Sequence, residues 1–277
     1  MSVLVFGKSG QVAQELQRAY PEYSYLSRAD ADLSQPADCS AAIFAKTPIA
    51  VINAAAYTAV DRAEDEEALA HIINAEAPAA MARACATLGI PFIHISTDYV
   101  FDGSGNTSRT PQAPTAPINA YGRTKLAGEE AIRASGALHV ILRTSWVFSA
   151  HGNNFVKTML RLSETRDTLS VVGDQIGGPT PARAIAKACA RMAATTKTSG
   201  TYHITGAPEA SWAEFAREIF AQADRKVDVK DIATADYPTP AARPLNSRLD
   251  CASLLSDFGI SQPSWREALA ETIRELT

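Results

Sequence analysis

The chain has 277 residues, 46% of them hydrophobic and 20% charged, with a net charge of -4. That is room for one large or two modest domains around a substantial core, with the composition of a soluble globular enzyme. The small negative balance and the scatter of Lys and Arg exclude a nucleic-acid surface and a membrane patch, and no apolar run reaches membrane-spanning length.

Val3 to Phe6 reads as a strand. Together with Ser2 it is too short for a secretory core, so no signal peptide is expected. Gly7-Lys8-Ser9-Gly10-Gln11-Val12-Ala13 then makes a turn into a helix over Gln11 to Ala19. Glycines at a strand-to-helix junction permit close backbone approach, and the helix N-terminus offers unpaired N-H groups to a diphosphate. Ala13 supplies the third small position. A structural turn is the rival reading, but at the start of an α/β chain dinucleotide binding is the better one.

A second strand spans Tyr23 to Leu26. Beyond it, Ser27-Arg28 lies where an adenosine ribose should sit, and Arg28 can pair with a 2'-phosphate. Asp30 stands near the spacing of an NAD-selecting acid, so NADPH is the expected cofactor with NADH as the alternative. Asp32 and Leu33 are candidates to flank the adenine. A helix over Ala37 to Ala45 leads to the apolar strand Ala50 to Asn53. The small residues Ala54, Ala55 and Ala56 follow, where a cofactor must lie close or a helix must pack.

Glu64 to Leu88 reads as one long amphipathic helix stopping at Gly89, before a strand over Pro91 to Ser96. His94 in that strand reads as a packed residue and not a catalyst. The strand runs into Ser96-Thr97-Asp98-Tyr99-Val100-Phe101. A helix over Tyr121 to Ala134 carries Tyr121 and Lys125 four apart on one face, and a strand spans Ala137 to Thr144. An ammonium there would bias the phenol toward releasing its proton near neutral pH. Thr97, ending the earlier strand, could hold a carbonyl beside it. The rival reading is an exposed helix pair without consequence.

After Trp146 the rhythm changes. Asn153 to Leu162 reads as helix, Leu169 to Val172 as strand and Pro181 to Ala194 as helix. Tyr237 to Pro244 is a Pro-rich loop, and a helix over Trp265 to Leu276 closes the chain. Short apolar strands alternating with helices imply a Rossmann-type, doubly wound α/β parallel sheet with a smaller C-terminal α/β substrate-binding lobe. The expected division is 1–149 for the dinucleotide domain and 150–277 for the lobe, of which roughly 165–205 can return to the sheet.

Cys39, Cys85, Cys189 and Cys251 form no C-x-x-C pair, which suits reduced structural thiols in a cytoplasmic protein. His71, His94, His139, His151 and His203 lack ligand spacing, so no metal site is expected from them.

Assembled in this order, Gly-x-x-Gly-x-x-Ala, Asn-Ala-Ala-Ala, Ser-Thr-Asp-Tyr-Val-Phe and Tyr-x-x-x-Lys resemble the extended short-chain dehydrogenase/reductase superfamily. More narrowly, the chain resembles the dTDP-4-dehydrorhamnose reductases. The narrower likeness rests on Gly7 to Val12, Ala55 to Asp61, Arg143 to Phe148 and Gly152 to Phe155. It continues through Asp174-Gln175, Gly178 to Thr180 and Arg243 to Ser247. Ala13 in place of a third glycine and Ile176-Gly177 in place of an aromatic-Gly pair are departures that leave the chemistry alone.

The resemblance implies NAD(P)H-dependent reduction at C4 of dTDP-4-dehydro-β-L-rhamnose to dTDP-β-L-rhamnose, the last step of dTDP-L-rhamnose biosynthesis. It makes Tyr121 the proton donor, Lys125 the ribose ligand that lowers the Tyr121 pKa, and Thr97 the carbonyl partner. Cofactor contacts fall on Gly7, Gly10, Gln11, Val12, Arg28, Asp32, Leu33, Ala55, Ala56, Thr58, Tyr121 and Lys125. Thr97, Asp98, Trp146, Asn154 and Arg243 face the sugar nucleotide, with Asn246 a further candidate. Some relatives use a divalent ion; no carboxylate cluster here demands Mg2+, and Glu15 on the first helix is the candidate contact at a subunit interface. A monomer or homodimer is expected.

The alternatives are another nucleotide-sugar epimerase, dehydratase or reductase of this fold, and a non-catalytic regulatory subunit like the methionine adenosyltransferase partner. Tyr99 stands where a dehydratase would carry an acid. Retention of Thr97, Tyr121, Lys125 and Trp146 speaks against the regulatory reading.

Overall fold

The computed structural model describes residues 2–276. Its elements run β1 (Val3–Phe6), α1 (Gln11–Ala19), β2 (Ser24–Leu26), α2 (Pro36–Lys46), β3 (Ala50–Asn53), α3 (Glu67–His71), α4 (Ala77–Leu88), β4 (Phe92–Thr97), α5 (Ala120–Ala134) and β5 (His139–Thr144). The second half adds β6 (Val147–Phe148), α6 (Phe155–Leu162), β7 (Thr168–Val172), β8 (Ile176–Gly177), β9 (Thr180–Pro181), α7 (Ala182–Thr195) and β10 (Gly200–Ile204). It ends with β11 (Ala210–Ser211), α8 (Trp212–Gln222), β12 (Asp228–Ile232), β13 (Asn246–Ser247), α9 (Ala252–Phe258) and α10 (Trp265–Leu276).

Six strands form one parallel sheet in the order β10-β5-β4-β3-β1-β2. Every residue of β1, β3 and β5 is buried, as a sheet covered on both faces requires. Leu16 of α1 and Ala186, Cys189 and Met192 of α7 close one face; Ile43 of α2, Met81 and Cys85 of α4 and Ile132 of α5 close the other. The strand order reverses between β1 and β3. A ligand crevice in such a sheet opens at that point, beyond the carboxyl ends of the strands.

The single helix expected over Glu64 to Leu88 is instead broken. A 3-10 turn at Arg62–Glu64 and α3 precede a π-turn at Ile72–Glu76, and only then does α4 begin. Pro78 is the cause: it lacks an N-H for the Asn74 carbonyl, four residues back, and its ring would crowd it. The bulge turns Asn74 inward, where its amide brackets the Tyr57 main chain and donates to Thr124 Oγ1 of α5 at 3.1 Å. α4 does stop at Gly89, whose φ of 66° lets the Ile90 N-H reach the Cys85 carbonyl.

The remaining strands are short. β7 pairs with β12, β11-β8-β13 form a three-stranded patch and β6 pairs with β9. Phe148, Phe215, Ile219, Trp265 and Leu269 pack a second core between α6, α8 and α10. Between the two cores the chain goes back: α7 packs on α1, and β10 hydrogen-bonds to β5 at the sheet edge. β7 stays with β12 in the lobe. No helix is long and apolar enough to cross a membrane among the described residues.

Candidate active site

Gly7 holds φ at 107°, and a Cβ there would lie 3.3 Å from the Ala54 carbonyl group. The first loop is therefore pressed against the turn after β3, a packing that admits only glycine. Gly10 caps α1 without any side-chain hydrogen bond to the first turn. The first N-H groups of the helix thus point to the crevice without a capping partner, a cradle that suits a diphosphate.

The side chains of the next two residues do other work. Gln11 accepts hydrogen bonds from Ser149 Oγ and Asn154 Nδ2, both at 2.9 Å, and Val12 is buried in the core. Only their main-chain groups are left for a nucleotide.

Past β2, Asp30 closes its own turn: its carboxylate accepts from the Ser27 N-H at 2.8 Å and from Ser27 Oγ at 2.6 Å. These bonds hold it below the usual carboxylate range. Arg28 remains 77% exposed, with Nε 3.0 Å from Asp32 Oδ2. Leu33 is buried against α2. Ala55 and Ala56 are half-buried beside the first loop, and Thr58 is exposed.

Thr97 ends β4 and caps the short turn that follows, accepting from the Tyr99 N-H at 3.2 Å. Its hydroxyl donates to Asp98 Oδ1 at 3.0 Å, and it lies close enough to the Tyr121 phenol to pull on its pKa. Asn119 caps α5 through the Gly122 N-H at 2.8 Å. Gly122 in turn lies so close to the Tyr99 carbonyl that a Cβ would come within 2.2 Å of it. The cap and this contact fix Tyr121 beside Thr97, with the Tyr99 ring edge-on at 5.5 Å.

Lys125, one turn on, is buried; Nζ lies 2.7 Å from the Ile95 carbonyl oxygen and 3.0 Å from His94 Nε2. Burial lowers its pKa to about 8, against an upward pull from Glu129. The phenol moves opposite to the expectation of a lowered value. Burial raises Tyr121 well above the usual tyrosine range, outweighing a downward pull from the Thr97 hydroxyl. A phenol held that way stays protonated at neutral pH, as a proton donor must. Asp98 is raised to about 6, again by burial, while nearby Ser247 and the Thr97 hydrogen bond pull it down.

On the lobe side, Trp146 sits at a left-handed φ of 49°. Its indole stacks on Trp212 at 3.7 Å and 14°, and its other neighbour is Gly177, where a Cβ would come within 2.9 Å of the ring. Trp212 is held by Gln175 Oε1 at 3.1 Å. Arg243 is anchored on Asp61 Oδ2 at 2.8 Å across the crevice. Asn154, expected at the sugar nucleotide, instead caps α6; its amide N-H groups are taken by Gln11, Ser149 and His151. Asn246 is likewise tied to the main chain of Ser104 and Thr107.

Glu15, the candidate for Mg2+, is buried on α1 with Oε1 3.7 Å from His151 Nε2. Among the described residues no group of three His, Cys, Asp or Glu could hold a metal ion. Trp212, Gln175, Asp61 and the buried pair Asn53 and His94 are parts of this crevice to which sequence reasoning gave no role. For Trp212 a signal was present: Ser211-Trp212-Ala213-Glu214 is a capping box, and it starts α8. His94 gave none, since a histidine in an apolar strand looks the same whether or not its nitrogens are used.

The family model described as the RmlD substrate binding domain matches residues 1–277. A dTDP-4-dehydrorhamnose reductase of Sinorhizobium fredii is 44% identical, over 97% of this chain and 95% of its own. A solved dTDP-4-dehydrorhamnose reductase from Clostridium acetobutylicum superposes with a TM-score of 0.94 at 37% identity, covering 100% of this chain and 99% of that one. Another, from Bacillus anthracis and in complex with NADP, gives 0.93 at 36% identity over 99% and 100%.

Proposed function

The chain belongs to the RmlD substrate binding domain family, and from that membership we propose that it reduces the C4 carbonyl of dTDP-4-dehydro-β-L-rhamnose to dTDP-β-L-rhamnose. This is the last step of dTDP-L-rhamnose biosynthesis. The observation that carries the reading is the placing of the Tyr121 phenol beside Thr97, one turn before the buried Lys125, next to a glycine loop that opens α1 to a diphosphate. NAD(P)H supplies the hydride when bound.

This chain's residues do the rest. Thr97 fixes the carbonyl oxygen, so that charge developing there meets a placed hydroxyl. Tyr121, held protonated by burial, gives its proton to that oxygen. Lys125 holds the nicotinamide ribose beside them. Gly7, Gly10 and the main chain of Gln11 and Val12 receive the diphosphate, with Ala55, Ala56 and Thr58 alongside. Arg28, exposed while Asp30 is closed on its own turn, favours NADPH by meeting the 2'-phosphate, with Asp32 and Leu33 framing the adenine site. Trp146, Asp98 and Arg243 frame the sugar nucleotide.

Residues 1–149 supply the cofactor half and 150–277 the sugar half, apart from the α7–β10 return. Four free, buried cysteines suit a cytoplasmic protein acting as a monomer or homodimer. The test follows NADPH absorbance with dTDP-4-dehydrorhamnose, for the parent and for Tyr121→Phe. Stoichiometric oxidation by the parent alone is expected and separates a reductase from a redox-neutral epimerase. No turnover by the parent would overturn the assignment.

A further inference from the structure

Lys125 is buried with a ring nitrogen and a main-chain carbonyl as its hydrogen-bond partners. The hydrogens of this cluster can be placed by starting from the main chain. The Ala55 N-H donates to Asn53 Oδ1 at 3.1 Å. A main-chain N-H cannot accept, so the amide oxygen must face it, and Asn53 Nδ2 must face His94 Nδ1, at 3.2 Å, as a donor. Nδ1 is therefore the accepting nitrogen of the ring. Rotating the ring by half a turn would set carbons against both partners.

A neutral imidazole carries one ring hydrogen, which this geometry puts on Nε2, aimed at Lys125 Nζ. An ammonium has three hydrogens and no lone pair to receive it; an amine has one. The amine's two hydrogens then serve the Ile95 carbonyl and the crevice. Charged Lys125 would set donor against donor at one end of the chain of bonds or the other. Glu129, four residues along α5, is the charged group whose field reaches Lys125, and its oxygens are occupied by Arg143, Arg133 and Ser96. His94 is itself held well below the usual histidine range, chiefly by burial, so it does not carry the charge instead.

We propose that Asn53 and His94 are positioning residues that lock the Nε2-H tautomer and so favour Lys125 as an uncharged amine until an anionic nucleotide binds, when Lys125 takes a proton from solvent. The coupling to a nucleotide rests on the function proposed above; the tautomer lock does not. Lys125 is thus buried without the cost of an unpaired ammonium. The phosphates and ribose hydroxyls of the cofactor make the charged form favourable only once they arrive.

Long-range 15N-1H correlation of the histidine rings in the ligand-free parent at about pH 8.5 reads the tautomer directly. A His94 ring with bare Nδ1 and protonated Nε2 is expected; an Nδ1-H tautomer or an imidazolium overturns the lock. Asn53→Asp offers one carboxylate oxygen to Ala55 and the other to His94 Nδ1. It should invert the tautomer and make Lys125 bind its proton at least about tenfold more tightly, read from the Lys125 side-chain resonances. Should that variant not fold, the parent spectrum alone still decides.

NADPH titrated calorimetrically in two buffers of different ionisation enthalpy should take up a fraction of a proton with the parent and none with Asn53→Asp. Binding without uptake by the parent overturns the coupling. Failure of NADPH to bind at all counts against the proposed function, while the ring spectrum still decides the lock.

Discussion

Two buried polar clusters sit one turn apart on helix α5 and treat charge in opposite ways. At Glu129 the carboxylate meets Arg143 through two hydrogen bonds of 2.8 and 2.6 Å, Arg133 at 2.6 Å and Ser96 at 2.6 Å. Burial alone would raise its pKa, yet these partners bring it below the ordinary value. At Lys125 burial is just as complete, but the neighbours are a neutral ring and a carbonyl, and the pKa falls. Burial by itself therefore does not decide whether a group is charged. What decides is whether an opposite charge is buried with it.

The largest expected effect lies at the Lys125 end. Tyr121→Phe should cut turnover about 10²- to 10⁴-fold with unchanged unfolding, since it removes the proton donor and little else. A small loss measured by NADPH oxidation would mean that the working end of α5 lies elsewhere.

Stability should separate the clusters next. Glu129→Ala strands Arg143 as a buried unpaired cation and should cost about 3–5 kcal/mol in urea unfolding. Lys125→Met strands no charge, only the His94 ring nitrogen and the Ile95 carbonyl, and should cost less, about 1–3 kcal/mol. Equal losses would break the contrast.

Asp98 and Glu129 should also answer pH with opposite signs. Asp98 holds its proton more tightly folded than unfolded, so its contribution is full below the unfolded value and is lost as pH rises to about 6. The loss should be roughly 2–3 kcal/mol, and Asp98→Asn should remove that fall from unfolding curves taken across this range. Glu129, depressed, contributes above its unfolded value and loses it as pH falls.

The smallest effect belongs to the exposed Arg28. Arg28→Ala should lower the preference for NADPH over NADH by about tenfold in kcat/KM, with NADH use unchanged. No change would place the 2'-position away from this arginine.

Legibility followed the range of the forces at work. β1, α1 and β3 were readable because continuous apolar runs and a glycine turn are local patterns, and α1 begins and ends at the expected residues. The break at the π-turn was missed because hydrophobic spacing carries across Pro78, although the proline itself was in view. Short strands such as β8 and β13 left no trace, since two residues make no pattern and their pairing comes from the far side of the lobe. Thr97, Tyr121 and Lys125 stood out by type and spacing. Asn154 looked the same in sequence as a ligand contact and as a helix cap, and only its neighbours chose.

Sequence by itself determined which groups could do chemistry here: a phenol and an amine one helical turn apart, a hydroxyl at a strand end and a glycine turn before a helix. Tertiary structure decided their protonation states. A pKa is set by burial and by what is buried alongside, and His94, Ile95, Arg143 and Ser96 reach α5 only after β4 and β5 have paired beneath it.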